Sequence, residues 1–361
     1  MLTPPIEPML AKPLGGLLPP DDPALVFEPK WDGFRCLVFR SDDGVVLQGR
    51  GRSRNPGDAA VDLGYAFPEL VAACSAQLAP GSLIDAEIVV PHLGRLDFSA
   101  LSSRLRPRSE AGGRSIAGLA ESLPATLLAF DVLWANQDLR ERPFGERRAA
   151  LERLARTWTA PLLLTPQTGD RAVAQRWFTD FEAAGVDGLI VKDTRDAYQP
   201  GKRVQGKVKH QRTADVVVGG WRPHTRPGVD GSPVVGSLLL GLYDDAGALH
   251  YVGVCSAFTA ARRAELVDLL RPFETDDQST HPWLGTTTTR IPGTASRWQK
   301  GQAWTAIRPE LVAEVGYDQM EEGRFRHVAS FQRWRPDRAA PTCGFDQLDE
   351  PPPAVISDLL G

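Results

Sequence analysis

The chain has 361 residues, 42% of them hydrophobic and 24% charged, with a formal net charge of −4; this excludes a disordered chain and leaves room for two ordinary globular cores. Cys36, Cys74, Cys255 and Cys343 form no CxxC pair, which excludes a zinc ribbon or a disulfide framework and predicts four buried thiols. The N-terminal MLTPPIEPMLAKPLGG lacks the basic start and apolar core of a signal peptide, and no run is apolar for long enough to cross a bilayer, so a soluble, intracellular protein with no membrane partner is expected.

From Ala24 to Gln48 the chain reads as a meander: ALVF, the turn PKWDG, FRCLVF, the turn SDDG, then VVLQ. Further strands are predicted at Leu83 to Val90, Ala125 to Trp134 and Asp187 to Lys192. RRAALERLART and RAVAQRWFTDFEAAG between them have the apolar spacing of amphipathic helices, the second closed by Gly185. Beyond His210 the segments ADVVVGGW, GSLLLGLYDDAGALHYVGV, LVAEVGYDQM and RHVASFQRW are β-rich, interrupted by one helix, AARRAELVDLLRPF; a short barrel such as an OB-fold suits them. The pattern predicts an α+β chain with domains at 1–209 and 210–361, a boundary near Lys209 to Arg212 and no internal repeats. The final DEPPPAVISDLLG is a Pro-stiffened tail without an assigned role.

The charge is unevenly spread. Lys202, Arg203, Lys207, Lys209, Arg212, Arg222 and Arg226 crowd one stretch against the single acid Asp215; charge alone fits a solvated basic face as well as a phosphate site. Lysines are scarce (Lys12, Lys30, Lys192, Lys202, Lys207, Lys209 and Lys300) among 41 Lys and Arg residues, yet one stands in the first turn, at Lys30-Trp31-Asp32-Gly33. Lys can become a nucleophile where Arg cannot. An isolated KxDG is more simply an exposed turn lysine, but Asp85-Ala86-Glu87, Phe130-Asp131, Asp187-Gly188 with Lys192, and Lys207-Val208-Lys209 follow in order. Attack of a lysine on a nucleotide α-phosphate needs such a set: carboxylates for a divalent metal and cations around the phosphates.

With these motifs the chain resembles the ATP-dependent DNA ligases of the covalent nucleotidyltransferase superfamily, in particular the small bacterial core enzymes of the ligase C group. The resemblance runs from PIEPMLA at Pro5 to RPDR at Arg338 and carries KxDGxR as Lys30-Trp31-Asp32-Gly33-Phe34-Arg35. It implies a mixed, antiparallel-sheet nucleotidyltransferase (adenylation) domain followed by an OB-fold. Lys30 would carry AMP from ATP, Glu28 would read the adenine amino group, and Arg35 with Arg50 or Arg54 would contact the ribose and the nick, strand spacing favouring Arg50. Glu87, in DAE where the family has DGE, and Asp187, where it usually has Glu, would hold Mg²⁺, with Mn²⁺ as substitute. Phe130 would stack on adenine and Lys192 would complete its motif. Lys207 and Lys209 would hold the α-phosphate, with Gln205 in place of a common Trp, and Arg203 would add a phosphate contact. Arg335, Asp337 and Arg338 stand where the family reads RxDK, and the two arginines would meet the β- and γ-phosphates.

The resemblance further implies a monomer in the bacterial cytoplasm, at the nucleoid during repair, acting on nicked double-stranded DNA with a repair polymerase as candidate partner. An RNA-directed nucleotidyltransferase (a capping guanylyltransferase or RNA ligase) is the nearest alternative. A non-catalytic OB-fold DNA binder is the alternative of another class.

Overall fold

The computed structural model describes residues 2–16, 18–50, 61–105, 116–210, 212–229, 231–277, 281–284, 303–321, 323–348 and 354–360. The chain runs through β1 (Leu10–Pro13), β2 (Leu25–Trp31), β3 (Phe34–Ser41), β4 (Gly44–Gly49), α1 (Pro68–Gln77) and β5 (Ser82–Val89). A small hairpin, β6 (Pro91–His92) and β7 (Arg95–Leu96), leads into α2 (Phe98–Arg104), α3 (Ile116–Ser122), β8 (Thr126–Ala135), α4 (Phe144–Ala155), β9 (Leu162–Leu164), α5 (Arg171–Asp180), β10 (Val186–Asp193) and β11 (Arg203–Val208).

These strands make two sheets, of order β1-β11-β10-β2 and β4-β3-β5-β8-β9. Strand alternation gives each sheet one oily face and one mixed face. Phe27, Leu189, Val191 and Val208 pack with Ala174 and Phe178 of α5, while Cys36, Ile84, Ala86 and Ile88 pack with Leu70 and Cys74 of α1. The opposite positions, Glu28 and Lys30 on β2, Arg35 on β3, Glu87 on β5 and Lys207 on β11, line one cavity. All four cysteines are buried free thiols, as the spacing predicts.

The expected turn at PKWDG is shorter than its composition suggests. Strand β2 continues through Pro29, Lys30 and Trp31, because it lies at the edge of its sheet, where a residue without an N–H is tolerated. The turn narrows to Asp32-Gly33. A Cβ on Gly33 would lie 2.2 Å from the Ile88 carbonyl oxygen of β5, so only glycine allows this approach. The predicted helix over 171–185 is α5, capped by Asp170, which accepts from the Ala172 and Val173 amides. It ends at Asp180, five residues before Gly185.

The second unit begins with β12 (Arg212–Pro223), β13 (Val235–Tyr243), β14 (Leu249–Ser256), α6 (Ala260–Leu270) and β15 (Thr305–Tyr317). It continues through β16 (Met320–Glu321), β17 (Arg324–Phe325) and β18 (Ala329–Trp334). A closed five-stranded barrel forms in the order β12-β13-β14-β18-β15 around Val216, Leu238, Leu240, Tyr251 and Ile307, the expected OB-fold. Thr259 caps α6, accepting from the Arg262 amide.

Packing divides the chain into Met1–His210 with Pro351–Gly361, and Gln211–Glu350. The tail, expected with the barrel, therefore belongs to the first unit. The final helix, α7 (Ser357–Leu360), places Leu359, and the residue before it places Ile356, in one apolar cluster with Trp31, Val89, Leu96 and Val186. The Ile356 amide donates to the Gly94 carbonyl of the β6–β7 turn at 2.8 Å. At the other crossing, the His210 ring stacks on Phe178 with centroids 3.8 Å apart, and its Nε2 lies 2.8 Å from the Phe178 carbonyl oxygen. Ile356→Ala is expected to cost about 2 kcal/mol and lower the thermal midpoint; an unchanged melting curve would show that the tail contributes no packing.

Candidate active site

Strand β2 delivers Glu28 and Lys30 to the cavity two residues apart on one face. Lys30 Nζ donates to Asp187 Oδ2 at 2.5 Å, and Lys209 Nζ approaches the same oxygen at 2.8 Å. Asp187 reaches both because β10 is irregular between Val186 and Leu189. Gly188 makes the irregularity: its φ is +121°, and a Cβ there would lie 2.1 Å from the Val208 carbonyl oxygen. A carboxylate one methylene shorter than Glu thus still touches the lysine. Burial, then Lys209, Lys30 and Arg203, hold the Lys207 amine below its ordinary range, the mark of a site short of negative charge.

Glu28 is buried at the other end of the cavity. Lys192 Nζ lies 2.6 Å from its Oε2, Gln167 Nε2 donates to its Oε1 at 2.9 Å, and Arg148 Nη1 stands 3.6 Å from Oε1. Lys192, grouped by sequence with the nucleotide contacts, lines the cavity and is the counter-ion of Glu28. It also donates to the Phe130 carbonyl at 3.2 Å and lies over the Phe130 and Phe144 rings at 4.8 and 4.5 Å from their centroids. Burial depresses its pKa, while Glu28 and Asp131 oppose the shift.

Arg35 is held in a fork, Nε to Asp85 Oδ1 at 2.5 Å and Nη2 to Asp85 Oδ2 at 2.7 Å, with its guanidinium 4.4 Å from the Phe130 centroid. Tyr198 locks the fork from behind, donating to Asp85 Oδ2 at 2.7 Å. Burial pushes the Glu87 carboxyl up to about 7, Asp85 adding to the rise while Arg35 and Lys30 oppose it. Arg50 is exposed at the cavity rim, and Arg203 donates to the Ala11 carbonyl at 3.3 Å. Arg54 lies outside the described residues.

The barrel arginines are held unequally. Arg335 Nη1 donates to both Asp215 oxygens at 2.9 and 3.0 Å, and Nε and Nη2 engage Asp337. Arg338 approaches Asp215 at 3.6 Å and its side chain is 39% exposed, twice the 19% of Arg335.

Sequence reasoning named Asp85 only as a carboxylate beside Glu87, not as the partner of Arg35, and missed Tyr198 behind Arg35 and Gln167 and Arg148 around Glu28. Asp85 was legible by strand alternation, two residues before Glu87. The others come from distant segments and leave no local signal.

A family model described as "ATP dependent DNA ligase domain" matches residues 8–210, and one described as "ATP dependent DNA ligase C terminal region" matches 231–338. The chain belongs to the ATP-dependent DNA ligases. The ligase is 46% identical over 359 residues to "DNA ligase C2" of Mycolicibacterium smegmatis, covering 97% of this chain and 96% of the relative. It is 44% identical over 370 residues to "DNA ligase C" of Mycobacterium tuberculosis, covering 99% and 97%. A 320-residue match at 33% identity to a "Multifunctional non-homologous end joining DNA repair protein LigD" of Mycobacterium tuberculosis covers 86% of this chain and 36% of that protein. ATP is thus the ligase's nucleotide and DNA its substrate. Among the described residues no helix is long and apolar enough to cross a membrane.

The Glu87 carboxyl sets a pH dependence. Its folded pKa of about 7 lies above the ordinary value of 4.5, so between these limits the unfolded chain is the more ionised state, and stability falls as pH rises through that window. Glu87→Gln removes the burden. The variant's thermal midpoint relative to wild type is expected to climb by about 2 °C or more from pH 4.5 to 7.5; a constant difference would refute the assignment.

Proposed function

We propose that the ligase seals nicks in duplex DNA through AMP carried on Lys30. Lys30 Nζ attacks the α-phosphorus of ATP: the N–P bond forms, the bond to pyrophosphate breaks, and the proton leaving Nζ passes toward Asp187. AMP then moves to the 5′-phosphate at the nick, and the 3′-hydroxyl attacks that phosphorus and expels AMP. The carrying observation is the seating of Lys30 against Asp187, beside Lys209, in a cavity shared with Lys207, Arg203 and Glu87. Each displacement builds charge on phosphoryl oxygens, which fixed cations stabilise without reorganising.

Among the described residues no cluster of three or more metal-ligating side chains exists. Two hard carboxylates, Glu87 and Asp187, nonetheless fit Mg²⁺ or Mn²⁺ that arrives on nucleotide phosphates, since magnesium keeps waters and takes few protein ligands. Such an ion, when bound, neutralises the pyrophosphate leaving group. Arg35, clamped by Asp85, orients the nucleotide sugar with Arg50, and Phe130 offers a face to the base. The LigD likeness supports a place in DNA repair. We place the enzyme there as a monomer in the bacterial cytoplasm, at the nucleoid, with a repair polymerase as partner.

Incubation with α-labelled ATP tests the nucleophile. Lys30→Ala and Lys30→Arg are expected to retain no label; labelled AMP on Lys30→Arg would overturn the assignment, since Arg keeps charge but not nucleophilicity. The barrel arginines should separate. Arg338→Ala is expected to lose AMP attachment about tenfold or more while sealing a pre-adenylated nick near the wild-type rate, as befits a contact made in one transition state. Arg335→Ala should also lower the melting temperature, because it leaves Asp215 without its fork; equal melting curves for the two variants would place both arginines on the phosphates alone.

A further inference from the structure

Strand β11 has a register shift against β1 beside Arg203, yet it sends neighbouring side chains to different places. Val204 and Val208 point to apolar clusters, while Arg203, Gln205 and Lys207 line the nucleotide cavity. These four neighbours of Gln205 are explained by packing or by phosphate; Gln205 is not. It is only 5% exposed, yet among the described residues no protein group hydrogen-bonds its amide, whose atoms face the cavity. The amide offers two donors and two acceptor lone pairs, and its polar atoms open into the cavity rather than lying sealed without a partner. A ligand that fills the cavity displaces the water there and has to replace those hydrogen bonds. The partner of the amide is therefore set by what the cavity binds.

The surroundings decide which part of the nucleotide it is. In the β10–β11 ladder Ile190 pairs with Lys207 and Val191 with Gly206, and the next residue along each strand, Lys192 and Gln205, lines the same cavity. Lys192 is the counter-ion of Glu28, and Ile190 pairs with Glu28 on β2. This end of the cavity offers Phe130 and Ile190, apolar surfaces suited to a flat ring. The phosphate cations, Lys30, Lys207 and Lys209, gather around Asp187 instead. A neutral amide is a poor phosphate ligand, but its paired donor and acceptor match the adenine edge, where the 6-amino group donates and a ring nitrogen accepts.

We infer that Gln205 is a specificity-determining residue whose amide hydrogen-bonds the edge of the adenine ring. This rests on the reading of the cavity as the site of AMP transfer to Lys30. Glu28 already spends both oxygens on Lys192 and Gln167, so the Gln205 amide is the buried polar group in this cavity still open to the base among the described residues.

The test compares ATP, purine riboside triphosphate (which lacks the 6-amino group) and dATP as donors for AMP attachment, with wild type, Gln205→Leu and Gln205→Met. Both substitutions fill the space without hydrogen-bonding. Wild type should prefer ATP over the purine analogue by about tenfold, the variants should raise the KM for ATP about tenfold, and their preference for ATP over the analogue should vanish. The ratio of ATP to dATP should stay unchanged, and the nucleotide-free variants should melt no lower than wild type, since among the described residues the amide has no protein partner to lose. An unaltered KM and preference, or a lower melting temperature with an unchanged preference, overturns the inference. A change confined to the dATP ratio also overturns it, placing the amide on the sugar. Label absent from Lys30 in wild type would instead defeat the underlying site reading, so the two failures are distinct.

Discussion

The Asp187 carboxylate between two ammonium groups is the contact on which the cavity depends. Lys30 and Lys209 would repel at this spacing, with Lys207 and Arg203 nearby adding to the cost. One shared oxygen, 2.5 and 2.8 Å from the two nitrogens, lets the cations stand together before any phosphate arrives. The backbone is arranged for it: Gly188 breaks the regular β10 ladder, β11 brings Lys209 alongside, and β2 runs to its sheet edge with Pro29 inside the strand. Fold and charge are set by the same few residues.

At the far end the logic reverses. Glu28 and Lys192 form a nearly dry ion pair, and a buried pair is held less by net gain than by the penalty for breaking it. Gln167 and Arg148 add donors, so Glu28 has little rotational freedom. The cavity is thus stiff around Glu28 and gathers half-buried cations around Asp187. Arg35 joins the two ends, clamped by Asp85 and lying against Phe130.

Much of this was legible in the order of the residues. The motif set around Lys30 gave the family, and strand alternation puts Glu28 with Lys30 and Asp85 with Glu87 on shared faces. The barrel was visible in its β-rich segments and single helix. What the sequence hid were relations between distant segments. The length of β2 depends on which strand lies beside it, not on the turn-forming PKWDG. The Arg335 fork requires Asp215, 120 residues away, and the role of Lys192 appears only when Glu28 is seen across the sheet. The tail is the clearest case: it was left without a role inside the bounds of the barrel domain, since Ile356 and Leu359 had no neighbour in sequence to show what they cover.

That tail makes the first unit discontinuous, with the whole barrel inserted before its closing segment. During synthesis the ribosome must therefore finish the second unit before residues 354–360 exist to cover the cluster of Trp31, Val89, Leu96 and Val186. The domain begun first is completed last. Until then its apolar cluster, next in sequence to Lys30, stays open to chaperones or to other nascent chains. Folding of the barrel and completion of the nucleotide domain become successive events on one chain, the second waiting on the first.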